Sequence, residues 1–331
     1  MFKLFSRESL YPEDSALPFT MATHAPKLSR SLRRLPPGAS TDRCVALGAQ
    51  CGRAGTVMNW ISDHQPLPAT EMALGPDSDA PGLLAVGPRV TPQRLREAYS
   101  IGAFPWYCPG QPPLWWTPDP RMVLPVAEFK LSNSLRKTLR RFVRNPGCEI
   151  RIDSAFRAVM RACAESPRAG QNGTWIVPEI IDAYSAWHES AGPPQGRIPE
   201  CAARRDANQA GSVHSVETWI DGELVGGLYG VNLGTMFFGE SMFASRTDAS
   251  KIALAALVAF CRANHIPLID CQQATDHLAA FGAREIARPA FEAHLARMLR
   301  AAAPADWSYH PRLWAQLGLA ANSPADATHP A

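Results

Sequence analysis

No apolar run in the sequence is long enough to span a bilayer. The longest, Ile252–Cys261, has ten residues, against about 20 for a membrane helix. The opening Met-Phe-Lys-Leu-Phe-Ser-Arg lacks the apolar core of about 7–15 residues found in a secretory signal. The eight cysteines form no C-x-x-C pair and no small disulfide framework, so a structural zinc site is not expected and reduced cytoplasmic thiols are. There is no G-x-x-x-x-G-K-[ST], no G-x-G-x-x-G after a strand, no G-x-S-x-G elbow and no H-E-x-x-H, and the nine histidines include no pair at helical spacing. Phosphate-loop, dinucleotide, serine-hydrolase and zinc-protease chemistry lose their usual support, and neither a metal nor an organic cofactor is expected. A large excess of one charge is also missing. The 33 Lys+Arg offset 30 Asp+Glu over 331 residues, for a net charge of +3. That excludes a histone-like polycation and leaves material for about two domains.

The local distribution of charge says more. Residues 20–57 carry six basic residues, one acid (Asp42) and no aromatic. Such a segment cannot bury enough apolar surface to offset its chain entropy, so 1–57 is expected to be a disordered basic extension, dispensable or upstream of initiation at Met58. A second disordered insert is expected at about 192–211, where Pro193-Pro194 opens a polar run.

Residues 130–151 hold seven cations and one acid, Glu149. Ser132 or Ser134 can cap a helix running to about Arg144, with Leu135, Leu139 and Phe142 forming its apolar stripe. Arg136, Lys137, Arg140, Arg141 and Arg144 then cover the solvent side. That pattern fits either an ordinary solvated face or a surface that follows nucleic-acid phosphates.

From 213 to 240 the pattern is β. Val213–Ile220 meets the tight-turn pair Asp221-Gly222, Glu223–Val231 returns, and Gly234 turns into Thr235–Glu240. Ala249–Ala263 is apolar nearly all round and predicts a buried helix. Pro267–Gln272 predicts a short strand, and helical pieces follow at about 275–281 and 289–301. Gly226-Gly227 inside a strand points to close backbone approach. The Pro- and Trp-dense residues 58–120 form a small N-terminal α/β domain, and 121–331 a second domain, giving an α+β protein.

Asp270 and Gln272, two apart on one strand, face the same way, with Cys271 opposite. Asp270 can accept from the Gln272 amide nitrogen, which would leave the amide oxygen as an acceptor for a third group. An Asp at a strand end can equally cap the next helix or pair with an Arg. Glu240 closes the meander in Phe237-Phe238-Gly239-Glu240-Ser241.

Several words occur in one order: Pro81-Gly82-Leu83-Leu84-Ala85-Val86-Gly87, Phe104-Pro105-Trp106-Tyr107, Trp115-Trp116-Thr117-Pro118-Asp119-Pro120-Arg121, Gly173-Thr174-Trp175-Ile176, His214-Ser215-Val216-Glu217, Leu224-Val225-Gly226-Gly227-Leu228-Tyr229-Gly230, Phe238-Gly239-Glu240-Ser241-Met242-Phe243, Ala249-Ser250-Lys251 and Leu268-Ile269-Asp270-Cys271-Gln272. Together they closely resemble the leucyl/phenylalanyl-tRNA–protein transferases over residues 80–300. Where that family has Gly-Gly-Asp-Leu-Ser, this chain has Gly87-Pro88-Arg89-Val90-Thr91.

The resemblance implies a GNAT-like acyltransferase fold for 121–331. It implies transfer of Leu, Phe and less readily Met from aminoacyl-tRNA to proteins beginning with Arg or Lys, which marks them for degradation. It further implies that Asp270 and Gln272 are the catalytic pair and Glu240 an active-site acid. Trp106 and Trp175 would hold the terminal adenosine of the tRNA, and Leu228, Phe237, Leu254, Leu257 and Ile269 would line the amino-acid slot. On this basis Gln272 accepts from the attacking amine, Asp270 stabilises its developing charge, and Glu240 holds an ammonium. A cytoplasmic monomer without membrane association is expected. An acyl-CoA-dependent acyltransferase, an inactive tRNA-binding protein and a peptidoglycan cross-bridge enzyme are the competing possibilities.

Overall fold

A computed structural model describes residues 58–87, 89–166, 174–190 and 211–319. The expected extension at 1–57 lies outside these residues, as does the expected insert apart from Gly211. Among the described residues ten strands form two sheets. The strands are β1 (Leu83–Val86), β2 (Phe104–Pro105), β3 (Leu114–Trp116), β4 (Arg121–Pro125), β5 (Cys148–Ile152), β6 (Ser212–Ile220), β7 (Glu223–Leu233), β8 (Met236–Ala244), β9 (Leu268–Gln272) and β10 (Arg284–Ile286). The helices are α1 (Pro92–Ser100), α2 (Asn133–Arg144), α3 (Phe156–Glu165), α4 (Pro178–Ser190), α5 (Ala249–Ala263), α6 (Asp276–Ala280) and α7 (Arg288–Met298). The small sheet has the order β1-β3-β2, and the seven-stranded sheet runs β10-β4-β9-β8-β7-β6-β5. Every pairing in the large sheet is antiparallel except β8 with β9. This is the α+β class expected.

The large sheet separates two apolar cores because strand side chains alternate between its faces. Phe238 and Leu268 join the first core; Phe237, Ile269 and Cys271 join the second. The first also takes side chains from α1, α3, α4, α7 and the small sheet, so residues 58–120 share a core with the large sheet. The second is filled by α2 and α5.

The local forces are those the residues suggest. Ser132 Oγ accepts from the Leu135 backbone N–H and starts α2, which buries Leu135, Leu139 and Phe142. Asp221 and Gly222 take φ of 52° and 78°, the left-handed pair that a two-residue hairpin turn requires. In α5 every residue is buried except the half-buried Lys251, Arg262 and Ala263. A Cβ on Gly226 would lie 2.5 Å from that of Ala249, so only glycine lets the start of α5 seat directly on β7. The third meander strand runs further than Thr235–Glu240, to Ala244.

Candidate active site

β8 and β9 pair only through Met236↔Leu268, Phe237↔Ile269 and Phe238↔Asp270. Beyond the last pair β8 continues to Ala244 and β9 to Gln272, so the two strands part and a wedge opens between them. Asp270, Gln272 and Glu240 stand at this wedge, all buried. Glu240 reaches it through a β-bulge. Tyr229 faces Ser241 and Gly230 faces Gly239, so Glu240 is the extra residue. A Cβ on Gly230 would lie 2.3 Å from the Phe238 carbonyl oxygen, which makes glycine necessary opposite the bulge.

Asp270 does not accept from the Gln272 side chain. Its Oδ1 accepts from Arg121 Nε at 2.8 Å, and its Oδ2 from Arg121 Nη2 at 2.7 Å. Of the alternatives open to a strand-end Asp, the structure takes the Arg pair. Both partners are fully buried, a setting in which a bidentate guanidinium–carboxylate pair satisfies most of both groups. Oδ1 also accepts from the Gln272 backbone N–H at 3.0 Å, where the chain turns to a left-handed φ of 59°.

That turn carries the Gln272 side chain across the wedge to β8. Its Nε2 donates to Glu240 Oε1 at 3.2 Å. The carboxylate that takes the amide N–H is therefore Glu240, in place of Asp270. On the far side of Glu240, Tyr184 donates its hydroxyl to Oε2 at 3.4 Å, and the Tyr184 and Tyr99 hydroxyls lie 2.5 Å apart. Burial holds the Glu240 carboxyl above the ordinary carboxylate range. Burial, with Glu240 close by, holds both phenols well above theirs, so they stay protonated donors.

Nothing here resembles an activated nucleophile. Among the described residues the Ser241 hydroxyl has no hydrogen-bond partner, and burial pushes the Cys271 thiol up, away from thiolate. A separate polar chain lies toward the β5 edge of the sheet. His214 bridges Asp153 and Ser212 at 2.6 Å each and stacks on Trp307 at 3.6 Å, tying the C-terminal segment to β6.

Leu228, Phe237, Leu254, Leu257 and Ile269 are brought together, fully buried, in the α5-side core. They face away from Asp270 across the sheet, and Phe237 and Ile269 sit directly before the wedge. Trp106 and Trp175 lie in the other core, 6% and 4% exposed, with Trp106 against Trp116. Lys137, Arg140, Arg141 and Arg144 are exposed on α2, and none makes an ion pair among the described residues. Arg136 is half-buried, and its Nη1 donates to the Leu317 carbonyl at 3.4 Å. Sequence reasoning missed Arg121, Tyr99 and Tyr184. A cation heading the apolar strand Arg-Met-Val-Leu-Pro was the available signal for the first; the tyrosines offered none.

Residues 123–192 and 202–296 match the family described as leucyl/phenylalanyl-tRNA protein transferase, and 89–119 match its N-terminal domain. A protein of Methylibium petroleiphilum is 61% identical over 261 residues, which is 78% of this chain and 91% of the relative. One of Leptothrix cholodnii is 59% identical over 257 residues, 78% and 93% of the two chains. Both are named leucyl/phenylalanyl-tRNA–protein transferase. Among solved structures, L-PGS from Bacillus licheniformis aligns with 60% of this chain and 57% of its own, at 13% identity and a TM-score of 0.28. The family match and the names of these relatives make this an aminoacyltransferase. The extent of these matches fixes the assignment further: the chain belongs to the leucyl/phenylalanyl-tRNA–protein transferase family. No helix among the described residues is long and apolar enough to cross a membrane.

Proposed function

We propose that this protein moves Leu, Phe and less readily Met from aminoacyl-tRNA to the α-amino group of proteins that begin with Arg or Lys, marking them for degradation by the N-end rule pathway. The observation that carries this mechanism is the Gln272 amide, oriented across the wedge by the bond from its Nε2 to Glu240 Oε1. An α-amine, with a reference pKa of about 7.7–8.0, is partly neutral near pH 7.5 and attacks an ester without an enzyme nucleophile. Gln272 Oε1 takes one N–H of that amine and turns its lone pair toward the ester carbonyl. Positioning of two bound substrates then supplies much of the rate, since effective molarities reach about 10⁵ M or more.

The Leu, Phe and Ile side chains on the α5 side supply an apolar slot for the transferred residue, and burying a charged side chain among them would leave that charge unpartnered. A meander followed by a helix and a parallel strand that splays from its neighbour supports a GNAT-like catalytic domain over 121–331. Trp106 and Trp175 would hold the terminal adenosine of the tRNA by stacking on its base. The substrates are cytoplasmic, and a monomer suffices for the chemistry. The purified protein, incubated with Leu-, Phe-, Met- or Val-tRNA and a peptide beginning with Arg, Lys or Ala, tests all of this by product mass. Gain of a leucyl, phenylalanyl or methionyl residue on the Arg and Lys peptides alone is expected. Equal use of the Ala peptide or of Val-tRNA would refute it.

The exposed cations of α2 follow tRNA phosphates in this scheme. Replacing Lys137, Arg140, Arg141 and Arg144 by Gln is expected to weaken binding of different tRNAs alike. It should also flatten the log K against log[salt] slope by about 3.6, close to 0.9 for each phosphate no longer neutralised. Filter binding over a salt series reads this directly, and an unchanged slope removes α2 from the interface.

Glu240 gives the reaction a pH dependence of its own. Ionised, it accepts from Gln272 Nε2. Protonated, it donates to Gln272 Oε1 and occupies the acceptor that the amine needs. Because burial raises its pKa, transfer falls as pH drops through that raised value, in addition to the loss from protonating the amine. The single-turnover rate is expected to fall with a log slope near 2 on the acid side. In Glu240→Gln, where an amide oxygen still faces Nε2, the slope falls to about 1. An identical acid limb in both proteins would contradict this.

A further inference from the structure

Arg121 has no part in the proposed mechanism, yet it is as fully buried as Asp270 and Gln272. Its side chain is fully buried. The rings of Phe104, from β2, and Phe291, from α7, are centred 4.8 and 4.6 Å from its guanidinium carbon. Among the described residues its Nη1 has no hydrogen-bond partner, so the aromatic faces and the Asp270 carboxylate are what hold it. The carboxylate is equally committed. Oδ2 is taken by Nη2, and Oδ1 is shared between Arg121 Nε and the Gln272 backbone N–H.

We propose that Arg121 is a positioning residue for the transfer reaction and that Asp270 acts through it: the pair is a clamp on the Gln272 backbone, with no direct contact to the amine. Gln272 sits at φ 59°, a conformation that disfavours any residue bearing a Cβ. The Asp270 Oδ1 bond to its N–H holds it there, and the Arg121 fork fixes Oδ1. In this conformation the Gln272 side chain crosses to Glu240 on β8. The proposal rests on Gln272 Oε1 being the acceptor for the amine.

The test compares Arg121→Ala, Arg121→Lys and Gln272→Ala in steady-state transfer of Leu from Leu-tRNA to an Arg-peptide. For Arg121→Ala, kcat is expected to fall about 100-fold, with both KM values within about threefold of the parent. Methylguanidinium at tens of millimolar should restore about tenfold by filling the vacated site, and equal NaCl should restore nothing. For Arg121→Lys, whose ammonium cannot span both carboxylate oxygens, kcat should fall about tenfold with KM unchanged. A folded Arg121→Ala with kcat within threefold of the parent overturns the proposal, as does a loss confined to KM. Should Arg121→Ala lack native circular dichroism, Arg121→Lys decides alone, and parental kcat there overturns it. Full activity in Gln272→Ala would instead overturn the underlying mechanism. Loss in Gln272→Ala beside parental Arg121 variants would overturn only the clamp.

Discussion

Gln272→Ala is expected to reduce single-turnover transfer by about 10²–10³-fold, the range seen when one pre-oriented hydrogen-bonding group is removed from an acyl-transfer site. In the proposed mechanism the effect belongs to kcat, because the amide acts on the attacking amine and not on the slot or the basic helix. tRNA affinity should stay within a few-fold of the parent. Stability should fall by about 1–3 kcal/mol, since Glu240 Oε1 loses the Nε2 donor at 3.2 Å inside a buried site. Gln272→Glu should be no better, because it sets a second carboxylate against Glu240 where an N–H is required. A rapid-quench measurement with both substrates saturating separates these effects, and a parental rate in Gln272→Ala would remove the amide from the reaction.

The second large effect is on the fold. Asp270→Ala leaves the Arg121 guanidinium buried without its carboxylate, and breaking such a pair from one side costs about 3–5 kcal/mol. For a domain of this size that lowers Tm by on the order of 10 °C. Removing both charges is different. Arg121→Met with Asp270→Leu substitutes apolar volume for an ion pair, an exchange that is often neutral or stabilising. The double variant is therefore expected to melt near the parent and remain inactive in transfer. Calorimetry beside the transfer assay checks both halves. Activity in the double variant would show that neither charge serves the reaction.

Elements that specify themselves locally were legible in the sequence. Ser132 caps α2 from three residues away, Asp221-Gly222 sets its own backbone, and the alanine-rich α5 is buried as its composition requires. β4, β5, β10, α3 and α4 drew no expectation. β4 and β10 are short, and what makes each strand a strand is a neighbour distant in the chain. The candidate site shows the same division. Spacing put Asp270 and Gln272 on one face, and the structure brings both to the wedge beside Glu240. Spacing gave Asp270 the wrong partner because alternation assumes a strand, and Gln272 leaves the strand at φ 59°. The true partners are 149 residues away for Asp270 and 32 for Gln272, and nothing local to either residue encodes those distances.

The aromatic packing around Arg121 bears on how the protein is made. Phe104 leaves the ribosome before the arginine, Asp270 long after it, and Phe291 later still. A nascent chain therefore carries the guanidinium without its carboxylate while the next 149 residues are made and can complete its surroundings only when α7 emerges. Products that terminate before α7 lack one of the two rings that enclose Arg121, so under the proposed mechanism such a fragment cannot carry out aminoacyl transfer.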